Sequence, residues 1–255
     1  MTGPMDVLDR AEGPGGPTLA ALVELAREAV RGTETVDVLM LISERAVDVL
    51  PVEACGVLVR DVGGALRAVA ASSASAALLD LFQAQSSEGP CVESIETGEV
   101  VAHRSSQVEG RWPQFGRLLA AEGFGTVHAV PMMSRRTTVG ALNLFGQVEL
   151  GPADRAVAQA FADLAVLALL QGDLDDDAVV IMRRLHRAVQ ARATLGQAVG
   201  VLAERHGIDP DAALRQLKEL ARSEGVSLTV VALEVARRVG GVDPAGPAGS
   251  ASEGR

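Results

Sequence analysis

A β-hairpin is predicted by the sequence CGVLVRDVGGALRAVA, which runs from Cys55 to Ala70. Its two apolar runs, Cys55 to Val59 and Leu66 to Ala70, have the length and composition of strands, and the glycine pair at 63 and 64 favours a turn. Two more runs of this kind follow, at Val127 to Pro131 and at Val139 to Phe145. Together these short strands predict a central antiparallel sheet.

Apolar residues at helical spacing flank these strands. They predict a first helix around Leu19 to Ala26 and a second from Val38 to Leu50, which Pro51 ends. Later helices are predicted at Ser75 to Gln83, at Pro113 to Ala121 and from Gly151 through Ala168. The expected fold class is therefore α+β, with an antiparallel sheet flanked by helices.

After Gly151 the sequence shows only helical patterns. A long helix carries a seam of small residues and leucine at spacings of 3, 4, 3 and 4, formed by Ala188, Ala191, Leu195, Ala198 and Leu202. This seam is too narrow to be a complete core. We therefore expect the segment from about Gly151 to Leu202 to join two copies of the chain in a homodimer.

Two shorter helices follow the long one. Asp209 and Pro210 are a suitable start for the first of them, which Gly225 ends. Ser227 caps the second, which stops at Gly240. The C-terminal part of the chain is therefore predicted to be a three-helix module on a long connecting helix.

Charge is unevenly distributed along the 255 residues, whose formal net charge is −10. Residues 1–177 carry 12 basic and 25 acidic side chains, whereas residues 178–240 carry ten basic and six acidic ones. An acidic body followed by a basic segment is expected if the second part binds a polyanion. An arginine-rich solvated helix explains the charge equally well.

The two cysteines, Cys55 and Cys91, are too few for a disulfide framework or a zinc site. No basic region followed by an apolar core begins the sequence, and its most apolar run is too short to span a membrane. We therefore expect a cytoplasmic protein without a membrane partner.

Two parts of the chain resemble known domain families. The sequence RATLGQAVGVL from Arg192 to Leu202, followed by ERHG from Glu204 to Gly207, resembles the first helix of ANTAR domains. The N-terminal part resembles the GAF domains that precede ANTAR modules in actinobacterial regulators. The motifs that carry this resemblance are EGPC at 88–91, RWP at 111–113, VP at 130–131 and GALN at 140–143. The resemblance implies a GAF-like sensor at 18–172 and an ANTAR-like RNA-binding module at 173–240. The flanking residues 1–17 and 241–255 are rich in glycine and proline and lack periodicity, so we expect disordered tails there.

The resemblance also implies a function: a signal-responsive antitermination regulator that binds RNA hairpins in nascent transcripts as a dimer. Arg192 and Lys218 fall on positions that are usually basic in the ANTAR family. Arg215, Lys218 and Arg222 are spaced i, i+3 and i+7, which places them on one helical stripe. Guanidinium and ammonium groups hold phosphates, so these four residues are the predicted RNA contacts.

The chain departs from the ANTAR pattern in two places. Val199 stands where the family typically has lysine, and Gly225, Val226 and Ser227 replace polar and basic residues before the last helix. Either the module binds RNA mainly through phosphates, or its helices serve dimerisation or protein binding without RNA recognition. The sequence identifies neither the sensed ligand nor the target transcripts, and leaves open whether the signal activates or inhibits.

The sensor half offers three candidate site residues. Cys91 follows Pro90 at a helix start, where its thiolate is one option and a small buried hydrophobe is the other. Trp112 either lines a pocket or clamps a loop, and His128 either faces the pocket or lies in the core. We expect Gly89 to Val92 and Trp112 with Pro113 to lie close to the sensor cavity.

Catalysis and metal binding are poorly supported. The sequence has no glycine-rich phosphate loop, nucleophile elbow or paired-carboxylate motif. His103 and His128 have no neighbours at metal-ligand spacing, so no metal is predicted and no cofactor is identified. A cysteine-dependent reductase on a GAF scaffold is a remote third hypothesis, and we expect the protein not to be an enzyme.

Overall fold

The computed structural model describes residues 16–31, 33–61, 63–135, 137–170 and 178–240, with side chains described in all of these except 178–186 and 238–240. The chain divides into two compact units between Ala193 and Thr194. The predicted tail at 241–255 and most of that at 1–17 lie outside the described residues. The first described helix begins at Gly16, two residues before the predicted end of the N-terminal tail.

Helices and strands are interleaved along the chain up to β5, and in the described residues only helices follow. The helices are α1 (Gly16–Arg31), α2 (Thr35–Val49), α3 (Ala74–Ser86), α4 (Pro90–Thr97), α5 (Ser105–Arg111), α6 (Pro113–Ala121), α7 (Pro152–Leu170), α8 (Ala178–His206), α9 (Pro210–Glu224) and α10 (Leu228–Gly240). The strands are β1 (Ala54–Arg60), β2 (Leu66–Ala71), β3 (Val101–Arg104), β4 (Thr126–Ser134) and β5 (Thr137–Gly146).

The first unit is built on a five-stranded sheet in the order β2-β1-β5-β4-β3, and every neighbouring pair is antiparallel. This confirms the predicted α+β class and all four predicted strands. The hairpin predicted from Cys55 to Ala70 forms as expected. Gly64 lies in the left-handed region at φ 82°, and the Asp61 N–H donates a hydrogen bond to the carbonyl of Ala65 across the turn. Glycine suits that conformation because it has no Cβ.

Two elements, β3 and α5, were not predicted, and of α4 only the start at Pro90 was. The edge strand β3 has only four residues, Val101 to Arg104, of which one is fully buried. The helices α4 and α5, with eight and seven residues, are too short to show a helical period. They matter because α4 covers the centre of one face of the sheet.

Successive residues of a strand point to opposite faces, and this separates two layers. One face carries Ala54, Leu58, Val127, Ala129 and Phe145, which pack against buried residues of α3, α4, α5 and α6 in two hydrophobic clusters. Residues between them, such as Cys55 and His128, therefore face the other layer. The helices α2 and α7 pack on the sheet there, and α1 packs on both of these helices.

In the second unit, α9 and α10 form as predicted. The Asp209 carboxylate accepts a hydrogen bond of 2.8 Å from the Ala212 N–H, and Pro210 occupies the first turn of α9. The Ser227 hydroxyl accepts one of 3.2 Å from the Val230 N–H at the start of α10. Each cap satisfies a backbone donor that the first turn of a helix leaves without an intrahelical partner.

The seam on α8 is buried within a single chain. Ala188, Leu195 and Ala198 are 2%, 3% and 0% exposed, whereas Ala191 and Leu202 are partly buried. The expectation that the seam itself needs a second copy to cover it therefore loses its basis. The homodimer remains a prediction that must rest on other surfaces.

Candidate functional site

A stripe of three basic side chains lies on α9, away from that helix's apolar face. Ala213, Leu214, Leu217 and Ala221 are buried, whereas Arg215 and Arg222 are exposed and Lys218 is half-buried. The i, i+3 and i+7 spacing keeps the three on one side of the helix, as predicted. We call Arg215, Lys218 and Arg222 the α9 stripe.

The turn after α9 explains one departure from the family pattern. Gly225 caps the helix in the left-handed region at φ 65°, and its N–H bonds back to the carbonyls of Ala221 and Arg222. A side chain with a Cβ is strained in that conformation, so glycine is the residue that ends α9 most cheaply. Residue 225 therefore serves to end the helix, and it carries no polar side chain.

Arg192, the fourth predicted RNA contact, lies in the first unit, on the part of α8 that precedes the division at Ala193. It is half-buried, and its burial lowers the pKa of the guanidinium. The charge of Asp80 acts in the opposite direction, because the two groups attract. The structure therefore places three of the four predicted contacts together and assigns the fourth to the other unit.

A buried polar cluster lies on the inner face of α3. Asp80 is fully buried, and its Oδ1 accepts a hydrogen bond of 2.6 Å from Nδ2 of Asn143 on β5. Asn143 pairs across the sheet with Gly56 of β1. A Cβ at Gly56 would lie 2.0 Å from Oδ2 of Asp80, so the carboxylate fits over the strand only because residue 56 is glycine.

Gln83 extends this cluster one turn along α3. Its Oε1 accepts a hydrogen bond of 2.9 Å from the Cys91 N–H at the start of α4. Gly89 makes room for the same side chain, since a Cβ there would lie 2.5 Å from Oε1. Asp80, Gln83 and Asn143 are all 0% exposed, and we call them the Asp80 cluster.

Burial dominates the electrostatics of this cluster. It raises the pKa of Asp80 to about 7, because the carboxylate loses its hydration; the bond from Asn143 and the charge of Arg192 oppose this. Burial likewise raises the pKa of the Cys91 thiol well above its ordinary value, and the charge of Asp80 adds to the effect. Cys91 is therefore held as a thiol, which is the less reactive form.

Cys55 does not complement Cys91. It lies on β1 facing α2, and burial raises the pKa of its thiol as well. Cys91 lies in α4 and packs on the opposite face of the sheet. Two thiols separated by the sheet have no geometry for a disulfide, which argues against the reductase hypothesis.

Trp112 joins the two hydrophobic clusters of its face, since its ring packs against both. The His103 ring meets it edge-on with centroids 5.8 Å apart, and the Arg111 guanidinium lies 5.0 Å from the ring centroid. One of the two clusters contains Cys91. Trp112 thus clamps the α5–α6 corner onto the sheet, close to the residues that surround the Asp80 cluster.

His128 lies on the other side of the sheet from Cys91 and Trp112. Its Nε2 accepts a hydrogen bond of 3.3 Å from the Leu150 N–H. Burial, together with the nearby charge of Arg155, lowers the pKa of the imidazole. The structure therefore brings Cys91 and Trp112 to one layer and assigns His128 a structural contact at the start of α7.

Sequence reasoning missed Asp80, Gln83 and, as a functional residue, Asn143. One signal was present: α3 reads LLDLFQ from Leu78 to Gln83, a carboxylate within an apolar run. In the residues that the structure describes, no group of three His, Cys, Asp or Glu is placed to hold a metal ion. Over the same residues, no helix is both long and apolar enough to cross a membrane.

Several solved structures are similar to part of this chain. The GAF domain of a phosphoenolpyruvate-protein phosphotransferase from Acinetobacter is 17% identical, with a TM-score of 0.47, and the match covers 62% of this chain and 97% of that one. The corresponding domain from Coxiella burnetii is 17% identical, with a TM-score of 0.48, and the match covers 60% of this chain and 92% of that one. The nlh2 GAF domain of A. aeolicus is 14% identical, with a TM-score of 0.47, and the match covers 62% of this chain and 98% of that one. No curated protein matches the chain.

Two family models match in the order that the sequence motifs predict. The model of the GAF domain matches residues 33–170, which is more than half of the chain. The model of the ANTAR domain matches residues 183–235. The chain therefore belongs to the GAF family, and its GAF domain is followed by an ANTAR domain.

Proposed function

We propose that this protein is a signal-responsive, RNA-binding regulator of transcription antitermination. Its GAF domain senses a small molecule, and its ANTAR domain binds hairpins in nascent transcripts in the cytoplasm. The α9 stripe carries the proposal: Arg215, Lys218 and Arg222 lie together on the outer side of α9, two of them exposed. A row of cations on one helical face is suited to the phosphates of an RNA backbone.

The chemistry of the stripe predicts how RNA is recognised. Arginine and lysine at phosphates position a nucleic acid without reading its sequence. At Val199 and Val226 the chain has no side-chain donor for base edges. We therefore expect strong dependence on salt and weak selectivity among hairpin loops.

The test is filter binding of several labelled hairpin RNAs to the full chain at low salt. Arg215→Ala with Arg222→Ala should weaken binding to all hairpins about equally. Arg60→Ala with Arg117→Ala is the matched control, because it removes two exposed arginines from the first unit. A stripe variant that keeps full affinity, or that discriminates sharply between loops, contradicts this mode of binding.

A second candidate function is protein binding without RNA recognition. Three apolar side chains near the start of α10, Val226, Val230 and Leu233, are 41%, 53% and 41% exposed. Val230 and Leu233 are three residues apart on α10 and share one side of it, whereas Val226 lies in the turn that leads into the helix. A protein partner or second copy can cover these exposed side chains. A wild-type chain that binds no hairpin at low salt supports this second function.

The proposed function includes no catalysis. Both thiols are buried in their protonated form, on opposite faces of the sheet. GAF and ANTAR domains are sensor and regulatory domains, and the proposal needs no chemical step from either. Turnover of a peroxide or sulfoxide that is lost in Cys91→Ala is the result that would restore the enzymatic hypothesis.

A further inference from the structure

We propose that the Asp80 cluster is the recognition point of the sensor domain and binds a small primary amine with an oxygen acceptor beside its ammonium group. This inference rests on the proposed sensor function and specifies its ligand class. It starts from three buried polar atoms that no group of the described residues satisfies: Oδ2 of Asp80, Oδ1 of Asn143 and Nε2 of Gln83. Most buried polar atoms in proteins have a partner, so three in one cluster are unusual.

The side chains that carry these three atoms form one connected cluster. Asp80 and Asn143 are directly hydrogen-bonded, and Gln83 follows Asp80 by three residues on the same buried face of α3. Cys91 connects the two ends, because its N–H donates to Gln83 and its thiol interacts with the side chain of Asn143. One small ligand is therefore able to reach all three.

The orientation of both amides is fixed by the bonds that they make. Asn143 donates through Nδ2 to Asp80, which leaves its Oδ1 as an acceptor. Gln83 accepts through Oε1 from Cys91, which leaves its Nε2 as a donor. The cluster thus presents two acceptors, one of them a carboxylate oxygen, and one donor.

Charge selects a cation. Asp80 is completely buried, and a buried carboxylate costs several kcal/mol unless it is paired and hydrogen-bonded. Arg192 acts on it through its charge, yet Oδ2 of Asp80 has no hydrogen-bond partner in the part of the chain that the structure describes. A primary ammonium supplies both a positive charge and donors for Asp80 and Asn143, and a neighbouring oxygen accepts from Gln83.

A metal ion does not fit the same atoms. The cluster contains a single carboxylate, and the donor Nε2 of Gln83 has nothing to donate to on a bare cation. No group of three potential metal ligands occurs in the described residues. The acceptor–acceptor–donor pattern therefore favours an organic ligand.

The orientation of α3 supports a functional role for the cluster. Leu78 and Leu81 are 44% and 47% exposed, whereas Asp80 and Gln83 are fully buried on the same helix. Burying a leucine side chain contributes about 1.5–3 kcal/mol, so the helix forgoes apolar burial to place polar groups inside. Such a cost is expected where function, rather than stability, decides which residues face inward.

The test is titration of the isotope-labelled full chain, followed by the NMR signal of the Cys91 amide. The probes are 2-methoxyethylammonium, its N,N,N-trimethyl derivative and uncharged 1,2-dimethoxyethane. The first has charge, N–H donors and an oxygen; the second lacks the donors, and the third lacks both the charge and the donors. We expect saturable binding of the first and at least about 10-fold weaker binding of the other two.

Variants assign the binding to the cluster. Asp80→Asn keeps the shape of the side chain but removes its charge, and should weaken binding of 2-methoxyethylammonium by at least about 10-fold. Glu96→Gln removes an exposed carboxylate of α4 and should leave that binding unchanged. The probe comparison on the wild-type chain stands alone if Asp80→Asn fails to fold.

Several results overturn the inference. They are equal binding of the trimethylated or uncharged probe, unchanged affinity in Asp80→Asn, and no saturable shift of the Cys91 amide at probe concentrations that saturate millimolar sites. Equal binding of the uncharged probe means a neutral polar occupant such as water. Hairpin affinity measured in parallel separates the two proposals, because intact RNA binding without amine binding leaves the regulator standing and removes only the ligand class.

Discussion

Asp80 decides how the stability of the first unit depends on pH. Its pKa is raised from an ordinary 3.8 to about 7 by burial, so the folded state holds a proton that the unfolded chain releases. Between these two values the folded state binds more protons, and stability falls as pH rises. The loss is complete once the pH exceeds the folded value.

Asp80→Asn should remove this dependence. One pKa unit corresponds to about 1.4 kcal/mol, so between pH 5 and pH 8 the variant should gain about 3 kcal/mol relative to wild type. Urea unfolding of both chains at several pH values measures the difference, in which other titrating groups such as His128 cancel. A difference that does not change with pH contradicts a buried, ionisable Asp80.

His128 should be neutral at pH 7, with its proton on Nδ1. Its Nε2 accepts from the Leu150 N–H, which requires that nitrogen to be unprotonated, and burial lowers the pKa of the ring below its ordinary 6.5. The stability from this arrangement is present above pH 6.5 and is lost as pH falls through the folded pKa. Nitrogen chemical shifts of labelled histidine report the tautomer, and a proton on Nε2 would refute the assignment.

At the scale of elements, the cap of α9 holds the basic stripe in place. Asp209→Ala removes the acceptor for the Ala212 N–H and should destabilise the second unit by about 1 kcal/mol. Glu219→Ala, an exposed change in the middle of the same helix, is the control. Amide exchange along the first turn of α9 measures the effect; equal protection in both variants means that the cap contributes nothing.

The elements also show how far sequence reasoning reaches. The two hairpin strands, the long helices and the caps at Asp209 and Ser227 were predictable because periodicity and turn residues are local signals. The short elements β3 and α5 were not, and of α4 only the start at Pro90 was, since four to eight residues do not display a period. Their structure depends on packing against the sheet.

The candidate site was predictable only in part. The α9 stripe follows from helical spacing alone, so Arg215, Lys218 and Arg222 were found. The Asp80 cluster joins α3, α4, β1 and β5, and contacts between distant parts of the chain leave no local pattern. His128 was grouped with Cys91 because sequence does not reveal which face of a strand points to which layer.

At the scale of the whole molecule, we predict a homodimer at micromolar concentration. The α8 seam is already buried in one chain, so the contact must use side chains that remain exposed in the segment from Gly151 to Leu202. Leu167 of α7 is such a residue, at 55% exposure. Light scattering should therefore give twice the chain mass, and Leu167→Glu should shift it toward the monomer.

Val148→Glu is the matched control for this change. Val148 is 53% exposed and precedes the proposed segment, so its replacement should leave the dimer intact. A wild-type monomer excludes the dimer. Equal effects of the two substitutions would place the contact elsewhere.

If the ANTAR domain binds RNA through the α9 stripe, the affinity for hairpins must depend on salt concentration, and the stripe must account for part of that dependence. Each phosphate contact contributes roughly 0.7–0.9 to the slope of log affinity against log salt concentration. Arg215→Ala with Arg222→Ala should therefore reduce the slope by about 1.4–1.8. The Arg60→Ala and Arg117→Ala control should keep the wild-type slope. A stripe variant with the wild-type slope, or a wild-type chain whose affinity is independent of salt, would contradict the claim.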